Sequence, residues 1–490
     1  MKQILLISNI AMSKHYYLLM VILLFIHSQA QVADTIMIEA DSLVTGTGTR
    51  PADEMFLDLP ENKIKNQDAL SDFIKKLINL KHNNTGKINI VHIGDSHVQA
   101  DLMTGAARKK LQGIFGNAGR GFVFPHALAK TNGSWDVKFT STAYWDNYRN
   151  ISPVNGTNVG ISGIALSTRA ANFGIELNVR DSDNFFNTIK IITPANDDSF
   201  GLAIERKLVA VAKKISKKIS HRVKNGEALS VIAEKYNVSI TAIKKANRLK
   251  SNTIKAGRTL KIPGTTTTNA FVDKTEYIPL PVSEEFDYHY YTSQDPLNKI
   301  FIIPNKAKTT YELSGLVLEN DNPGILYHSI GVNGAKLSDY NKYPAFFEQL
   351  KVLQPDLIII ALGTNESFDK LRSEDYISRL DLFIRNAKDQ NPGAAILVIT
   401  PPPSLFQRKY PNVFVADYAQ KTLNLAQEGN FAVWDMFSQL GGLYGVSRNF
   451  KEGLMANDKV HYSKPGYEKQ GNLLSEAILN MLQDYKKKKY

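Results

Sequence analysis

Five apolar runs in this chain each stop at a polar or glycine-containing turn, and that pattern constrains the fold more than any other feature. They are Ile88–Ile93 ahead of Gly94-Asp95-Ser96, Tyr327–Val332 ahead of Asn333-Gly334, Asp356–Leu362 ahead of Gly363-Thr364-Asn365, Ala394–Ile399 ahead of Thr400 and three prolines, and Phe431–Trp434 ahead of Asp435. Nearly continuous β-branched and aliphatic runs that alternate with helical periodicity are strands buried on both faces, which means a parallel sheet between two helical layers. Such sheets place their chemistry at the C-terminal strand ends. Ser96, Gly334 and Asn365 all fall there.

Between the first and second of these runs the pattern changes. From about Trp135 to Glu205 short alternating runs follow one another with no helix between them: Asp136–Phe139, Gly174–Val179, Thr188–Ile192. Similar runs return at 272–282 and 298–318. The spacing predicts one β-sandwich in two parts, 135–205 and 270–320. Upstream, apolar residues at helical spacing (Leu70, Phe73, Ile74, Leu77, Ile78) predict an amphipathic helix within 61–81, and Val98–Phe115 reads as a helix directly after the first strand. The glycines of Ala118–Pro125 lack phosphate-loop spacing.

The ends and the charge narrow the setting. Lys14 and His15 precede the apolar Tyr16–Ile26, and Ser28-Gln29-Ala30 offers small residues for cleavage. Residues 1–30 therefore read as a signal peptide, with Met12 an alternative start, and 31–60 as a flexible leader. The expected location is exported, in the periplasm or cell envelope, with no stable membrane insertion after cleavage. The absence of cysteine excludes disulfides, thiolate nucleophiles and a lipidated N-terminal cysteine. The net charge of +12 is local: Arg206–Lys261 holds sixteen Lys or Arg against Glu227 and Glu234 alone. The remainder is nearly neutral, so the charge marks one small module and not a nucleic-acid-binding chain; an anionic envelope polymer suits it better.

That module has its own pattern. His221–Ala233 leads into Tyr236-Asn237-Val238, then Ile243, Asn247 and Leu249, and finally Ile254–Pro263, in the order strand, two short helices, strand. It closely resembles a LysM domain, spanning 219–263. The resemblance implies binding of peptidoglycan or another N-acetylglucosamine-containing glycan. The lysine-rich lead (Lys213, Lys214, Lys217, Lys218) and Thr265–Thr268 read as linkers.

Ser96 needs a base to act near neutral pH. Asn457–Ser463 supplies one: with Asp458 and His461 three apart in a loop, the carboxylate can hold one ring nitrogen while the other faces the serine. The Ser96 N–H, the Gly334 N–H and the Asn365 amide are candidate donors to an oxyanion. His97 reads as a structural residue beside the nucleophile and not as the base.

These four blocks, Gly94-Asp95-Ser96, Gly334, Gly363-x-Asn365 and Asp458-x-x-His461, stand in the order of the SGNH (GDSL) hydrolase superfamily. With Gly119–Pro125, Ile330–Ala335, Gly363–Glu366 and Val460–Ser463, the chain resembles the peptidoglycan O-acetylesterases of that superfamily. The resemblance implies a flavodoxin-like α/β three-layer sandwich with a parallel sheet, in two parts (61–134 and 325–490), interrupted by a β-sandwich. The LysM insertion, of βααβ form, departs from that family's pattern. The family resemblance implies Ser96, Asp458 and His461 as catalytic residues, Ser96, Gly334 and Asn365 as the oxyanion hole, and neither metal nor cofactor. The implied reaction is removal of acetyl from muramic acid O-6. Acetyl hydrolysis or transfer on another polysaccharide, and a non-catalytic wall-binding protein, stand as alternatives.

Overall fold

The computed structural model describes residues 59–489 except 153, 155, 217, 218, 264–266 and 427. The expected signal peptide and nearly all of the leader lie outside the described residues. Six strands form the central sheet: β1 (Ile64–Lys65), β2 (Lys87–Gly94), β3 (Gly324–Gly331), β4 (Leu357–Ala361), β5 (Ala395–Ile399) and β6 (Ala432–Trp434). Their order is β1-β6-β5-β4-β2-β3. All neighbours are parallel except β1, which pairs antiparallel with β6.

The apolar runs are explained by the two covered faces. Ile88, Ile90, Leu357, Ile359, Leu397 and Ile399 point to one side. There they meet helices α1 (Ser71–Asn83), α3 (Leu102–Phe115) and α8 (Lys464–Lys489). Their sequence neighbours Val91, Ile93, Ile358, Ile360, Ile396 and Val398 point to the other side. That side is covered by α4 (Leu337–Asn341), α5 (Pro344–Gln349), α6 (Ser373–Gln390) and α7 (Val413–Ala426). A strand buried on both faces has no polar position in its alternation, and truncating one such isoleucine to alanine costs about 2–5 kcal/mol.

Strand β2 is flanked by β3 on one side and β4 on the other, so the chain order reverses at β2. In open parallel sheets a crevice opens at that reversal, beyond the carboxyl ends of the strands. Ser96 follows β2, Gly334 follows β3 and Asn365 opens the turn after β4.

Two helical expectations need correction. Within 61–81, Ile64–Lys65 is the edge strand β1 and a 3-10 turn covers Gln67–Leu70, so the helix proper is α1. The helix expected over Val98–Phe115 is instead two: α2 (Ser96–Gln99) and α3, broken at Asp101, whose φ of 58° is left-handed. Buried ion pairs hold that conformation. Asp101 meets Arg108 at 2.6 Å and Arg120 at 2.5 Å, and Arg120 also meets Asp136 at 2.5 Å. Burial penalises the Asp101 charge, but the two guanidinium groups outweigh it and keep the carboxyl well below its ordinary range. Removing one partner from such a cluster leaves an uncompensated buried charge, at about 3–5 kcal/mol.

The inserted all-β part has two five-stranded antiparallel sheets and one three-stranded sheet. Its inward residues, among them Phe139, Leu177, Ile189, Ile191, Ile302 and Leu316, share one core with the α4 face of the parallel sheet. Gly121–Val123, expected with the first α/β segment, pairs antiparallel with Gly315–Glu319 of the second sheet. Of the expected linkers, Lys217, Lys218, Thr265 and Thr266 lie outside the described residues, and the rest are not linkers. Phe200–Ser216 and Thr267–Leu280 pair from Thr267↔Ser216 through Glu276↔Lys207 and on into the sheet, as a two-stranded ribbon. At its far end Ile219–Arg222 pairs with Thr259–Ile262, and helices Leu229–Lys235 and Ile240–Asn247 close over Leu229, Ile232, Ile243, Leu260 and Ile262.

Candidate active site

The strand β2 ends against Gly94, where a Cβ would stand 2.4 Å from Val98 and 2.9 Å from the Ala361 carbonyl. Only glycine lets the chain turn that closely. Asp95 then caps α2: its side chain accepts from the His97 N–H at 2.9 Å. Ser96 is left half-buried at the edge of an open cleft of about 590 Å³, lined with Ala100, Asn132, Asn333, Gly334, Asn365, His461 and Tyr467.

The two other catalytic candidates come from a loop 362 or more positions away and meet the serine there. Ser96 Oγ lies 3.0 Å from His461 Nε2, and His461 Nδ1 lies 2.7 Å from Asp458 Oδ2. The other carboxylate oxygen, Asp458 Oδ1, accepts from the backbone N–H groups of Val460 and His461, both at 3.0 Å. Lys459 makes this tight turn with φ 54°. Tyr462 anchors the loop by donating from its hydroxyl to the Pro403 carbonyl at 3.0 Å. Burial opposes the charge of Asp458, yet the hydrogen bonds from His461 and the two N–H groups prevail and hold the carboxyl below its ordinary range. An ionised Asp458 accepts a hydrogen bond from the Nδ1–H of His461 and so fixes the proton on that nitrogen, which leaves Nε2 as an acceptor toward Ser96.

The oxyanion candidates are placed on the same cleft but differ in state. Gly334 has φ 84°, and among the described residues neither its N–H nor that of Ser96 donates within the chain. The Asn365 amide is occupied: Nδ2 donates to Asp95 Oδ2 and to the Ala335 carbonyl, each at 3.0 Å. It can reach a developing oxyanion only by sharing or exchanging one of those hydrogens. Burial pushes the Asp95 carboxyl up to about 7 despite the His97 N–H and the nearby His461.

His97 sits against the base without replacing it. Its ring centroid lies 5.4 Å from that of His461, and Nδ1 is 3.0 Å from the Tyr467 hydroxyl. Burial, reinforced by His461, lowers it to about 3, so it stays neutral.

Sequence reasoning missed a set of amides that shape the Gly334 side. Gln99 Oε1 accepts from the Asn333 N–H at 2.6 Å, while its Nε2 donates to Thr131 Oγ1 at 2.7 Å and the Asn132 carbonyl at 2.6 Å. Asn333 Nδ2 closes the ring on Asn132 Oδ1 at 2.6 Å. The sequence signal for it is slight: Asn333 adjoins Gly334 and Gln99 follows Ser96 by three residues, but Asn132 lies in no recognised block. Among the described residues no cluster of three or more His, Asp or Glu side chains is placed to hold a metal ion, and no helix is long and apolar enough to cross a membrane.

A serine, an imidazole and a carboxylate in series beside free backbone donors, at the switch point of a parallel sheet, is the equipment of an acylhydrolase. Residues 311–469 match the GDSL-like lipase/acylhydrolase family, and residues 221–263 match the LysM domain. The first match takes in Gly334, Asn365, Asp458 and His461 and begins after Ser96. In fold the chain is similar to a solved structure described as a peptidoglycan O-acetylesterase in action, at 21% identity and TM-score 0.55, over 86% of this chain and 99% of that one. A lipase/acylhydrolase from Enterococcus faecalis matches at 20% identity and TM-score 0.26, over 32% of this chain and 76% of its own. No curated protein matches the chain.

Proposed function

We propose that this chain is an exported serine esterase that removes O-acetyl groups from peptidoglycan, at O-6 of muramic acid, and is held at the wall by its LysM module. The observation that carries the reading is the series Ser96 Oγ–His461 Nε2 at 3.0 Å and His461 Nδ1–Asp458 at 2.7 Å, open to the cleft. The wall substrate is supported by the LysM domain and by the fold shared with a peptidoglycan O-acetylesterase.

In this mechanism Ser96 Oγ attacks the acetyl carbonyl as its proton passes to His461 Nε2. Asp458 stabilises the imidazolium and keeps its Nδ1–H in place. The carbonyl oxygen becomes an oxyanion held by the Ser96 and Gly334 N–H groups, with the Asn365 amide as third donor. Collapse breaks the ester C–O bond, and the sugar oxygen leaves with the proton from His461. Water, deprotonated by the same nitrogen, then attacks the acetyl-serine, and acetate departs as Ser96 recovers its proton.

The test is acetate release from O-acetylated peptidoglycan by the mature protein and by Ser96→Ala. Release that vanishes with the substitution is expected. Cleavage of a generic acetyl ester without release from the wall would move the substrate to another polysaccharide. No turnover of either would leave a wall-binding protein. The basic LysM module should also bind wall material more weakly as salt rises, since exposed charges are screened over about 8 Å at physiological ionic strength.

A further inference from the structure

Beside the cleft, on the all-β insertion and the loop that leads into it, stand two cations that have no carboxylate partner among the described residues. Arg149 ends the strand Asp146–Arg149 and is half-buried; among the described residues its side chain makes one hydrogen bond, a long one from Nη1 to the Asn333 carbonyl, 3.4 Å, beside the oxyanion turn. Two residues on, Ile151 places Cδ1 3.5 Å from the position a Cβ would take on Gly334, so the turn that leaves this strand abuts the Gly334 turn directly. Lys130, two residues before the cleft residue Asn132, donates from Nζ to the Tyr144 hydroxyl at 2.8 Å and lies 4.5 Å from the centre of that ring. Tyr144 is 64% exposed. Asp146 points from the opposite face of the strand to Arg149.

The contrast with other bases of the chain is informative. Lys190 meets Glu319 at 2.5 Å and Lys336 meets Asp369 at 2.6 Å. Among the described residues, Arg149 and Lys130 have no such carboxylate. A guanidinium has five donors in a planar fork suited to a carboxylate, and Arg149 commits one of them.

We infer that Arg149 and Lys130 read a carboxylate on the substrate, so that the preferred ester is an O-acylated glycan bearing a carboxylate near the acyl group, on the sugar or on an attached peptide. This deepens the proposed function and rests on it. Arg149 would act as a specificity residue through charge, while its bond to Asn333 also braces the turn. The two roles separate by substrate.

The experiment measures kcat/KM for wild type, Arg149→Met, Arg149→Lys and Lys130→Met on three substrates. These are O-acetylated peptidoglycan, the same material with its carboxyls amidated, and 4-nitrophenyl acetate. We expect amidation to cost the wild type about tenfold, and Arg149→Met to lose about as much on the untreated polymer. Amidation should then cost Arg149→Met little more, because the two changes remove one interaction. Arg149→Lys should recover part of the sensitivity, and Lys130→Met should lose part. Removing the peptides frees the lactyl carboxylate of muramic acid, so stripped peptidoglycan before and after amidation tests the sugar as a source: sensitivity there extends the reading to the lactyl group, and insensitivity confines it to carboxylates of the peptide. Full sensitivity to amidation in Arg149→Met would overturn the inference. So would an equal loss on all three substrates, which would make Arg149 a brace alone. Wild-type turnover of 4-nitrophenyl acetate with none on any polymer would overturn the wall reading, and this inference with it.

Discussion

The turns on either side of Ser96 come from neighbouring strands and hold their donors in opposite ways. After β3, Gly334 presents a backbone N–H that has no partner within the chain. After β4, Asn365 presents a side-chain amide already bonded to Asp95 and Ala335. A backbone donor in a left-handed turn is fixed by the chain's path, and nothing must move for it to act. A side-chain donor has to be held, and here the holder is a buried carboxylate next to the nucleophile. One side is preorganised by conformation and the other by a hydrogen bond that competes with the oxyanion.

The sharpest way to separate the two is Asn365→Ala. If the amide reaches the transition state, kcat should fall about 10²–10³-fold, near 3–4 kcal/mol, with KM little changed. A kcat within twofold of wild type, with lower stability, would make Asn365 a support for Asp95 and leave the hole one-sided. Gly334→Ala tests the other side more gently. Its Cβ has room beside Ile151, so the cost is the left-handed backbone, about 1 kcal/mol by urea midpoint, and a rate loss of roughly tenfold as the N–H shifts. A loss equal to that of Asn365→Ala would mean that the two donors are coupled.

The smallest effect is in the pH dependence of stability. Folded Asp95, near 7, holds its proton more tightly than an unfolded aspartate near 3.9. Its contribution to stability is therefore full below about pH 4 and is lost as the pH rises through about 7. Asp95→Asn cannot titrate, so urea midpoints at pH 4.5 and 7.5 should differ less for the variant than for the wild type. Equal differences in the two proteins would remove Asp95 from this role.

Much of this arrangement was legible in the sequence because each main site candidate stands at the end of an apolar run or in a short polar loop. A strand with no polar position advertises where it stops. The Asp95–Asn365 bond was not legible, since it joins residues 270 positions apart whose motifs each have a simpler reading as a turn. Arg149 was missed for a related reason: it lies in an ordinary alternating strand, and only the packing of the turn that leaves that strand against Gly334 brings it to the cleft. The ribbon beside the LysM domain was misread because lysines and threonines have the composition of a linker, while their cross-strand pairing is a tertiary fact. The break at Asp101 likewise depends on Arg108 and Arg120 closing on it from α3 and the loop that follows.

That ribbon has a mechanical meaning. The LysM domain is joined to both strands at the same end, beyond the rung Thr267 with Ser216. A pull on the domain therefore draws both strands in one direction, along their length, and divides the load between two chains without drawing them apart. The ribbon is in this sense a two-ply tether, whose rungs stay closed while it is loaded.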